Sequence, residues 1–331
     1  ARRTLERMFT FRHRRTELDL KRHAAFEDQP RKTIAITGAS GLLGGELSAF
    51  FQTGGHTVRP VVRNQSAGAG EIYWSVDKQE IDASAFADVD VVIHLAGENL
   101  AGGRWTDEKK RRIVDSRENG TRLLANALAE LDDPPDTLIS ASAVGYYGDT
   151  GDTIVDEEAT AGDTFLAEVC ERWEAAAEPA RQAGIRVVHP RLGVVVTPEG
   201  GAVAEMLTPF KLGVGGKIGS GQQYMSWVTP DDVVGAFNFL IFHEELEGPV
   251  NVTSPNPVTN KEFTKALGRA LGRWTIVPVP SFGIKMLFGE MGQEMLLEGQ
   301  RAIPTRLQDA GFEFEFVGIE DALRHVLGAH D

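Results

Sequence analysis

Residues 33–45, which read Thr-Ile-Ala-Ile-Thr-Gly-Ala-Ser-Gly-Leu-Leu-Gly-Gly, constrain the fold of this chain more than any other stretch. A short apolar run typical of a buried strand comes first, and from Leu42 onward apolar residues recur at helical spacing. A strand, a glycine-rich turn and a helix open a dinucleotide-binding unit, where free backbone N–H groups at the helix start hold phosphates. The alternative is a plain turn. The flanking pattern favours a phosphate cradle formed by Gly38, Ser40, Gly41, Leu42, Leu43 and Gly44.

The three glycines of this turn have separate expected roles. Gly38 permits the tight turn, Gly41 lets the backbone approach a pyrophosphate, and Gly44 lets the helix pack closely on the strand. The spacing is Gly-x-x-Gly-x-x-Gly, which differs from the commonest fingerprint of this kind, Gly-x-Gly-x-x-Gly.

The next predicted strand, residues 56–63, bears on the choice of cofactor. Its end is where a nucleotide-binding fold contacts the adenosine ribose: an acidic residue there accepts from the 2′-OH, whereas an arginine pairs with a 2′-phosphate. This strand ends in Arg63, and no acidic residue follows before Glu71. The sequence therefore favours NADP over NAD, although a solvent-facing arginine at a strand end is the structural alternative.

Strand-like and helical patterns alternate beyond this point, with strands at 89–95, 137–141 and 185–189 and helices at 107–131 and 165–183. This alternation predicts an α/β fold with a doubly wound parallel sheet of the Rossmann type. We assign residues 31–195 to the nucleotide-binding domain, with later returns near 225–253. Residues 196–331 are assigned mainly to a smaller substrate-covering domain, in which 250–253 reads as a strand isolated among loops.

Ligands of doubly wound sheets bind at the carboxyl ends of the strands. Small residues follow several of the predicted strands, as the approach of a cofactor requires. We therefore add to the cofactor site Leu95, Ala96, Gly97, Ser140, Ala141, Pro190 and Arg191.

The charge of the chain is acidic overall but unevenly distributed. A net charge of -14 over 331 residues argues against nucleic-acid binding. Residues 1–32 nevertheless hold ten Lys and Arg against five Asp and Glu. We interpret residues 1–30 as a basic surface arm or a linker from a preceding domain, because the acids that interrupt the bases disfavour a nucleic-acid tail.

The remaining composition predicts a cytoplasmic protein. Its one cysteine, Cys170, excludes an intrachain disulfide and fits a reducing compartment. No run approaches the roughly 18 apolar residues of a membrane span, and the basic N-terminus lacks the apolar core of a signal peptide. The eight histidines show no metal-ligand spacing, so no metal site is predicted. His94 inside a buried strand, and Asp231 and Asp232 after Pro230 at a helix start, are interpreted as structural residues.

Several segments resemble the extended short-chain dehydrogenase/reductases, namely 37–44, 94–97, 119–121, 140–148 and 227–233. The chain is more closely similar to one atypical subgroup, the epimerase family proteins, often labelled nucleoside-diphosphate-sugar epimerases or cell-division inhibitor-like. That similarity covers about residues 31–328 and rests on the segments 116–117, 142–148, 215–227, 248–260 and 304–314. The first thirty residues resemble a segment that joins a preceding lipid-binding-like domain to this one in some members.

The resemblance also shows what is missing. Ordinary members use a Ser or Thr, a Tyr and a Lys four residues later, where the Lys lowers the pKa of the Tyr toward neutrality. This chain has no Lys between Lys110 and Lys211, and no Tyr between Tyr147 and Tyr224. The helix expected to carry the pair reads Thr-Phe-Leu-Ala-Glu-Val-Cys-Glu-Arg-Trp-Glu at 164–174, so the standard dyad is absent.

Substitute catalytic groups must come from elsewhere in the chain. Ser142 matches the family serine if one residue is inserted before Tyr147, which we place at the rim of the nicotinamide pocket. With no nearby lysine, the pKa of Tyr147 is expected near its ordinary value of about 10, which makes it a candidate acid but a poor base. A turn cap and a packed aromatic are the structural alternatives. Glu98 is a third catalytic candidate, although Glu98 and Arg117 are better suited to binding, and Cys170 is interpreted as a core residue.

Three hypotheses on function follow. The first is an NADP-dependent oxidoreductase or epimerase acting on an unidentified small polar substrate, with sugar nucleotides among the candidates. The second is an NADP(H)-binding sensor or regulatory protein with little or no catalysis. The third, an interaction module, is disfavoured because such a module has no evident need of a cofactor cradle. A homodimer is left open.

Overall fold

The computed structural model describes residues 2–64, 68, 70–101 and 103–329. Its strands are β1 Thr33–Thr37, β2 Thr57–Val62, β3 Ile72–Ser75, β4 Glu80–Ile81, β5 Val91–His94, β6 Thr137–Ser140, β7 Ser142–Ala143, β8 Ile154–Val155, β9 Arg186–Leu192, β10 Val194–Val195, β11 Tyr224–Met225, β12 Trp227–Val228, β13 Gly248–Val252, β14 Val258–Thr259 and β15 Arg301–Ala302.

Within those residues the central sheet has nine strands, in the order β13-β9-β6-β5-β1-β2-β3-β4, with β7 paired to β9. All of its pairs are parallel except β3 with β4. From β1 the chain first builds outward through β2 and β3, and then crosses to the other side to add β5, β6 and β9. This reversal opens a crevice at the carboxyl ends of β1 and β5. The predicted doubly wound parallel sheet is confirmed.

The helices are α1 Arg2–Ala24, α2 Leu42–Thr53, α3 Asp107–Ala129, α4 Phe165–Ala175, α5 Glu178–Gln182, α6 Gly201–Lys211, α7 Pro230–Phe242, α8 Asn260–Leu271, α9 Ser281–Phe288, α10 Glu290–Gly292, α11 Thr305–Asp309 and α12 Ile319–Val326. Short 3-10 turns at Ala83–Phe86 and Val144–Tyr147 and a π-helical turn at Gln293–Leu297 complete the helical elements.

Helices cover both faces of the sheet, so its strands are apolar on both sides. On one face Ile34 of β1 packs with Phe51 of α2 and Phe237 of α7. On the other face Ala35 packs in the cluster that includes Leu124 of α3. Successive β1 residues thus enter opposite cores, as the period-two geometry of a strand requires.

The C-terminal region forms a further cluster from α6, α8 and α12. A separate segment, from α9 to the π-helical turn, reaches back across the sheet end. Its Met291 packs with Trp105 and Val169 near the first turns of α3 and α4. The carboxylate of Glu294 accepts the backbone N–H groups of Phe165 and Leu166. The division into a nucleotide-binding domain and a substrate-covering domain stays a prediction.

Two expectations about individual elements are corrected. Strand β13 is not isolated: it is the edge strand of the central sheet, paired in parallel with β9 so that Val250 lies opposite Pro190. The predicted helix at 165–183 is divided into α4 and α5, and Pro179 lies in the first turn of α5. Proline lacks an N–H and clashes with the preceding turn, so it begins a helix more readily than it continues one.

The structure also differs from the interpretation of residues 1–30 as an arm or linker. The long helix α1 packs against the body of the protein, with Leu18 buried in the C-terminal cluster. Its basic residues meet buried acids, since Arg15 pairs with Asp231 at 3.2 Å and Arg22 with Asp232 at 3.5 Å. The basic character of this segment therefore serves packing against acidic side chains of α7.

Candidate functional site

The glycine-rich turn connects β1 to α2 with the geometry of a phosphate cradle. Gly38 has a φ of +69°, in the left-handed region that favours glycine. The Gly41 N–H donates to the Gly38 carbonyl at 2.9 Å, and Gly41 is the N-cap of α2. A Cβ at position 44 would lie 2.1 Å from the Gly38 oxygen, so Gly44 allows a contact that no side chain permits. The first N–H groups of α2 have no acceptor within the helix, and α2 begins just beyond the carboxyl end of β1.

A buried hydrogen-bond network joins the ends of β1 and β5 beneath this turn. Thr37 Oγ1 accepts the N–H groups of Leu95 at 3.0 Å and Ala96 at 3.2 Å. Its own proton is therefore donated to His94 Nδ1 at 2.8 Å. His94 Nε2 then carries the hydrogen and donates to Thr121 Oγ1 at 3.0 Å. Burial lowers the pKa of His94 to about 4, so the ring is neutral and structural, as the sequence analysis expects.

The structure brings several of the predicted cofactor residues together at this end. A Cβ at Gly38 would lie 3.2 Å from the Ala96 nitrogen, so the turn and the chain after β5 are in direct contact. The Ala141 N–H donates to the His94 carbonyl at 3.0 Å, which fixes the chain after β6 beside them. Ser140 is buried, and its hydroxyl has no hydrogen-bond partner in the described part of the chain. The cofactor-binding role of these residues stays a prediction.

The other predicted cofactor residues lie apart from the glycine turn. Arg63 follows β2 and its side chain is exposed, which both a base for a 2′-phosphate and the solvent-facing alternative predict, so its role stays a prediction. Pro190 and Arg191 are buried within β9 instead of following it. The Arg191 guanidinium is occupied by protein partners, so only the backbone of this pair remains suited to cofactor contact.

Four polar side chains around Arg191 satisfy one another. Arg191 donates two hydrogen bonds to Glu174, from Nε at 2.8 Å and Nη2 at 2.9 Å. Ser142 Oγ donates to the same carboxylate at 2.7 Å. Arg191 Nη1 donates to the Tyr147 hydroxyl at 3.1 Å, which in turn donates to Asn251 Oδ1 at 2.8 Å. The two catalytic candidates, Ser142 and Tyr147, therefore belong to one buried network.

The expectations for Tyr147 are corrected by its surroundings. Its side chain is 4% exposed and packs with Val144 and Ala302, so it lies inside the protein and not at a rim. Burial raises the pKa of Tyr147 to about 12, although Arg191 and Asn251 act in the opposite direction. The expected value of about 10 is wrong because the sequence does not show that desolvation, which disfavours the phenolate, outweighs the adjacent cation.

The third catalytic candidate, Glu98, is bound to bases of α3. Its Oε1 accepts from Lys109 Nζ at 2.7 Å and lies 3.5 Å from Arg112 Nε. The hydrogen bond from Lys109 lowers the pKa of Glu98, so the carboxylate is a weak proton acceptor. Its backbone carbonyl accepts from Arg117 Nη1 at 3.1 Å, which attaches the chain after β5 to α3.

Residues that the sequence analysis interprets as structural have structural surroundings. Cys170 Sγ donates to the Ala143 carbonyl at 3.6 Å, and burial raises the pKa of the thiol to about 11. Asp231 accepts a hydrogen bond from His325 Nε2 at 3.2 Å. Asp232 accepts the backbone N–H of Glu315 at 2.8 Å.

Glu174 and Asn251 belong to the network but are not predicted from the sequence. Glu174 ends the helix segment searched for the missing dyad, and a carboxylate four residues after Cys170 on the same helix face was the available signal. No comparable signal exists for Asn251, since it reaches Tyr147 only through the pairing of β13 with β9.

The described residues hold no group of three His, Cys, Asp or Glu side chains suited to a metal ion. None of the helices in that part of the chain combines the length and apolarity that crossing a membrane requires.

Comparison with known protein families gives two matches. The model described as the NAD dependent epimerase/dehydratase family matches residues 34–253. A second model, described as a domain of unknown function (DUF1731), matches residues 279–326.

Individual proteins extend these matches. An epimerase family protein of Mycobacterium bovis is 47% identical over 290 residues, which are 88% of this chain and 96% of that protein. The crystal structure of human epimerase family protein SDR39U1 (isoform 2) with NADPH superposes with a TM-score of 0.81 at 33% identity, over 89% of this chain and 98% of that chain. A nucleoside-diphosphate sugar epimerase from Corynebacterium glutamicum matches with a TM-score of 0.81 at 37% identity, over 97% of this chain but 64% of that longer chain.

Proposed function

Because the chain belongs to the NAD dependent epimerase/dehydratase family, in its group of epimerase family proteins, we propose that it binds NADP(H) in the crevice above β1 and β5. The observation that carries this proposal is the geometry of the glycine turn. Gly44 packs so closely on Gly38 that no side chain fits there, and the N-terminus of α2 offers free N–H groups for a pyrophosphate. The human relative crystallised with NADPH supports the same cofactor.

The preference for NADP over NAD rests on Arg63. It is the exposed base at the end of β2, where a doubly wound fold contacts the adenosine ribose. A guanidinium can bind the 2′-phosphate of NADP through paired hydrogen bonds. NAD lacks this phosphate and cannot form them.

We further propose that the chemistry is hydride transfer to or from a small polar substrate, with sugar nucleotides among the candidates. Bound NADP(H) would supply or accept the hydride. The residues of this chain would position the substrate at the carboxyl ends of β5 and β6 and exclude water beneath the segment from α9 to Gln293–Leu297. A proton donor of the Tyr-Lys type is absent, so the proton must come from water, the substrate or another side chain.

An NADP(H) sensor with little catalysis is the second candidate, and a specific observation favours it. Ser142 and Tyr147 both give their hydroxyl protons to protein acceptors, Glu174 and Asn251. A crevice that binds a cofactor but offers no free acid would fit a regulatory role. A cytoplasmic location, a homodimer and a preceding domain stay predictions from the sequence.

The binding proposal is tested with Gly41→Val. Gly41 has a φ of -79°, which any residue adopts, and a Cβ there would lie 3.1 Å from the Gly38 oxygen, so a small local shift accommodates a side chain that then blocks the approach of the pyrophosphate. We expect NADPH binding measured by calorimetry to be lost. Gly45→Val is the matched control, because a Cβ there meets nothing closer than 3.9 Å. Equal NADPH affinity in folded Gly41→Val and wild type would remove the cradle from the proposal.

Turnover separates the two candidate functions. Oxidation of NADPH by wild-type protein is followed across a panel of carbonyl compounds and sugar nucleotides, with Gly41→Val as the background. Oxidation above that background identifies an enzyme. Tight NADPH binding without turnover on any member of the panel favours the sensor.

A further inference from the structure

Arg117 of α3 is a buried cation, and the Glu98 carboxylate attracts its charge without forming an ion pair with it. It is 9% exposed, and no carboxylate in the residues that the structure describes forms an ion pair with it. Its Nη1 donates to the carbonyl oxygens of Glu98 at 3.1 Å and Ile113 at 3.4 Å. Its Nε and Nη2 have no hydrogen-bond acceptor within the same described residues. Carbonyl groups solvate a guanidinium only in part, and a buried charge ordinarily has an ionic partner.

The neighbouring groups do not provide that partner. The Glu98 carboxylate is held by Lys109 at 2.7 Å and lies 3.5 Å from Arg112, so its charge is already shared by two cations. Burial raises the pKa of the Cys170 thiol to about 11, and burial lowers the pKa of His94 to about 4. Both groups are therefore neutral at pH 7. The positive charge of Arg117 is therefore only partly compensated within the residues that the structure describes.

The guanidinium is oriented between two flat surfaces. A Cβ at Gly97 would lie 3.2 Å from Arg117 Cζ, so the glycine allows the guanidinium to lie against the backbone. On another side Cζ lies 4.9 Å from the centre of the Trp173 ring. Since Nη1 is tied to carbonyl groups, the edge formed by Nε and Nη2 remains. That edge presents two parallel N–H groups, the arrangement that binds a carboxylate or phosphate through both oxygens.

The location favours the substrate side of the crevice over the glycine turn. The glycine turn meets the chain after β5 at Ala96, whereas Arg117 meets it at Gly97 and extends toward Trp173 of α4. Helix α4 packs on β7, because Cys170 on α4 contacts the Ala143 carbonyl. The guanidinium thus lies on the β6 and β7 side of the crevice, beside the segment that carries Ser142.

We propose that Arg117 binds an anionic group of the substrate, a carboxylate or a phosphate, through its Nε and Nη2 hydrogens. This inference rests on the proposed function, because it names the substrate class for the same crevice. A buried cation with an open edge binds anions and discriminates against neutral analogues, which would leave it desolvated and unpaired. Neutral sugars and simple aldehydes are then poor substrates.

The competing explanation is that Arg117 only attaches the chain after β5 to α3. Ser116 shares that structural task, since its hydroxyl accepts the Glu98 N–H at 3.0 Å. Ser116→Ala therefore removes a tether and keeps the charge. Arg117→Met removes the charge and keeps an unbranched apolar side chain against Trp173. Arg117→Lys keeps the charge but loses the paired edge.

The test uses the 331-residue protein labelled with nitrogen-15, with and without saturating NADP. Acetate and inorganic phosphate are titrated, with acetamide as the neutral probe, and the indole N–H resonance of Trp173 is followed. The signal is assigned with Trp173→Phe. We expect a saturable shift with acetate or phosphate and none with acetamide. The shift should persist in Ser116→Ala, weaken in Arg117→Lys and vanish in folded Arg117→Met, with an affinity loss of roughly ten- to a hundred-fold or more.

Three outcomes would overturn the proposal: no saturable shift in wild type, a shift that survives in Arg117→Met, or a loss of NADPH affinity in Arg117→Met as large as in Gly41→Val. The last would assign the anion to a phosphate of the cofactor. If Arg117→Met does not fold, an unchanged anion affinity in Arg117→Lys decides against the paired edge. Because the titration is also done without NADP, its result stands apart from the test of cofactor binding.

Discussion

The two ends of the crevice use their polar groups differently. At the carboxyl end of β1, side chains such as Thr37 and His94 satisfy each other below the surface, and the backbone N–H groups of the glycine turn remain available above them. At the ends of β7 and β9, Ser142, Glu174 and Arg191 satisfy one another, and no free acid or base of this network is left over.

This difference separates binding from chemistry. Backbone groups that remain open can receive phosphates without any titration, so the β1 end is prepared for a cofactor. A bidentate arginine–carboxylate pair holds side chains in place but removes them from proton transfer. The crevice is therefore better equipped to hold a nucleotide than to exchange protons through its named side chains.

The largest expected effect comes from breaking the network at the β9 end. Arg191→Leu leaves the carboxylate of Glu174 without its cation, and Glu174 is only 14% exposed. Removing one partner of a buried ion pair destabilises by about 3–5 kcal/mol. Urea unfolding measures the loss.

The matching control is the double variant Arg191→Leu with Glu174→Leu. It removes both charges, so it should recover much of the stability lost in Arg191→Leu. A double variant no more stable than the single one would show that the network holds the fold through its hydrogen bonds to Ser142 and Tyr147.

A smaller effect concerns a property that the two ends share, a buried neutral histidine. Burial lowers the pKa of both His94 and His189 to about 4. Between this value and the unfolded value of about 6.5 the unfolded chain binds protons that the folded chain does not, so stability falls as the pH falls. Each histidine should contribute a loss of about 2 kcal/mol between pH 7 and pH 5.

Comparing wild type with His189→Leu isolates one of these contributions. The free energy of unfolding of wild type should fall by about 2 kcal/mol more than that of the variant over this range. Burial raises the pKa of Asp232 to about 6, which opposes the trend by favouring the protonated folded state, but it does so equally in both proteins. Parallel profiles would contradict a neutral His189.

The next prediction concerns the cofactor preference at the end of the crevice that binds NADP(H). Arg63→Ala should weaken NADPH binding by roughly ten- to a hundred-fold and leave NADH binding unchanged, because only NADPH offers a 2′-phosphate to the guanidinium. Calorimetric titration of both cofactors into wild type and variant gives the ratio. Arg59→Ala is a control on the same strand, since Arg59 is already paired with Asp88. An equal loss for both cofactors would contradict the NADP preference.

The smallest effect is expected from Tyr147→Phe. The variant removes the donor to Asn251 and should destabilise by about 1 kcal/mol, while the affinity for NADPH stays the same. Because the hydroxyl is buried and its pKa is raised to about 12, we expect turnover on any substrate found by screening to persist. A fall in kcat on the order of a hundred-fold, the usual scale of general acid catalysis, would instead make Tyr147 the proton donor.

The sequence predicts those features of the fold that depend on local patterns. The strand–turn–helix at residues 33–45 and the alternation beyond it are sufficient for a doubly wound parallel sheet. Partners far apart in sequence are not visible in such patterns. Residues 250–253 look isolated because their pairing with β9 depends on contacts about sixty residues away, and α1 looks like an arm because its acidic partners lie on α7.

The candidate site likewise has features that follow from local sequence and features that depend on distant segments. The glycine turn can be predicted because the backbone conformation and the close contacts that require glycine arise within one stretch of seven residues. The surroundings of Tyr147 cannot, because its burial and its partners Arg191 and Asn251 come from three separate segments. The missing dyad is predictable, but what replaces it depends on side chains that meet only in the folded chain.

The position of β13 at the sheet edge has a consequence for synthesis on the ribosome. Once β9 has emerged, its outer edge has unpaired backbone groups until β13 arrives about sixty residues later, which takes several seconds at about 5–20 residues per second. Helix α7, which covers one face of the sheet, emerges in the same interval. Until then, the nascent nucleotide-binding half exposes an unpaired strand edge that can pair with other chains. Residues 31–195 expressed alone would keep that edge exposed.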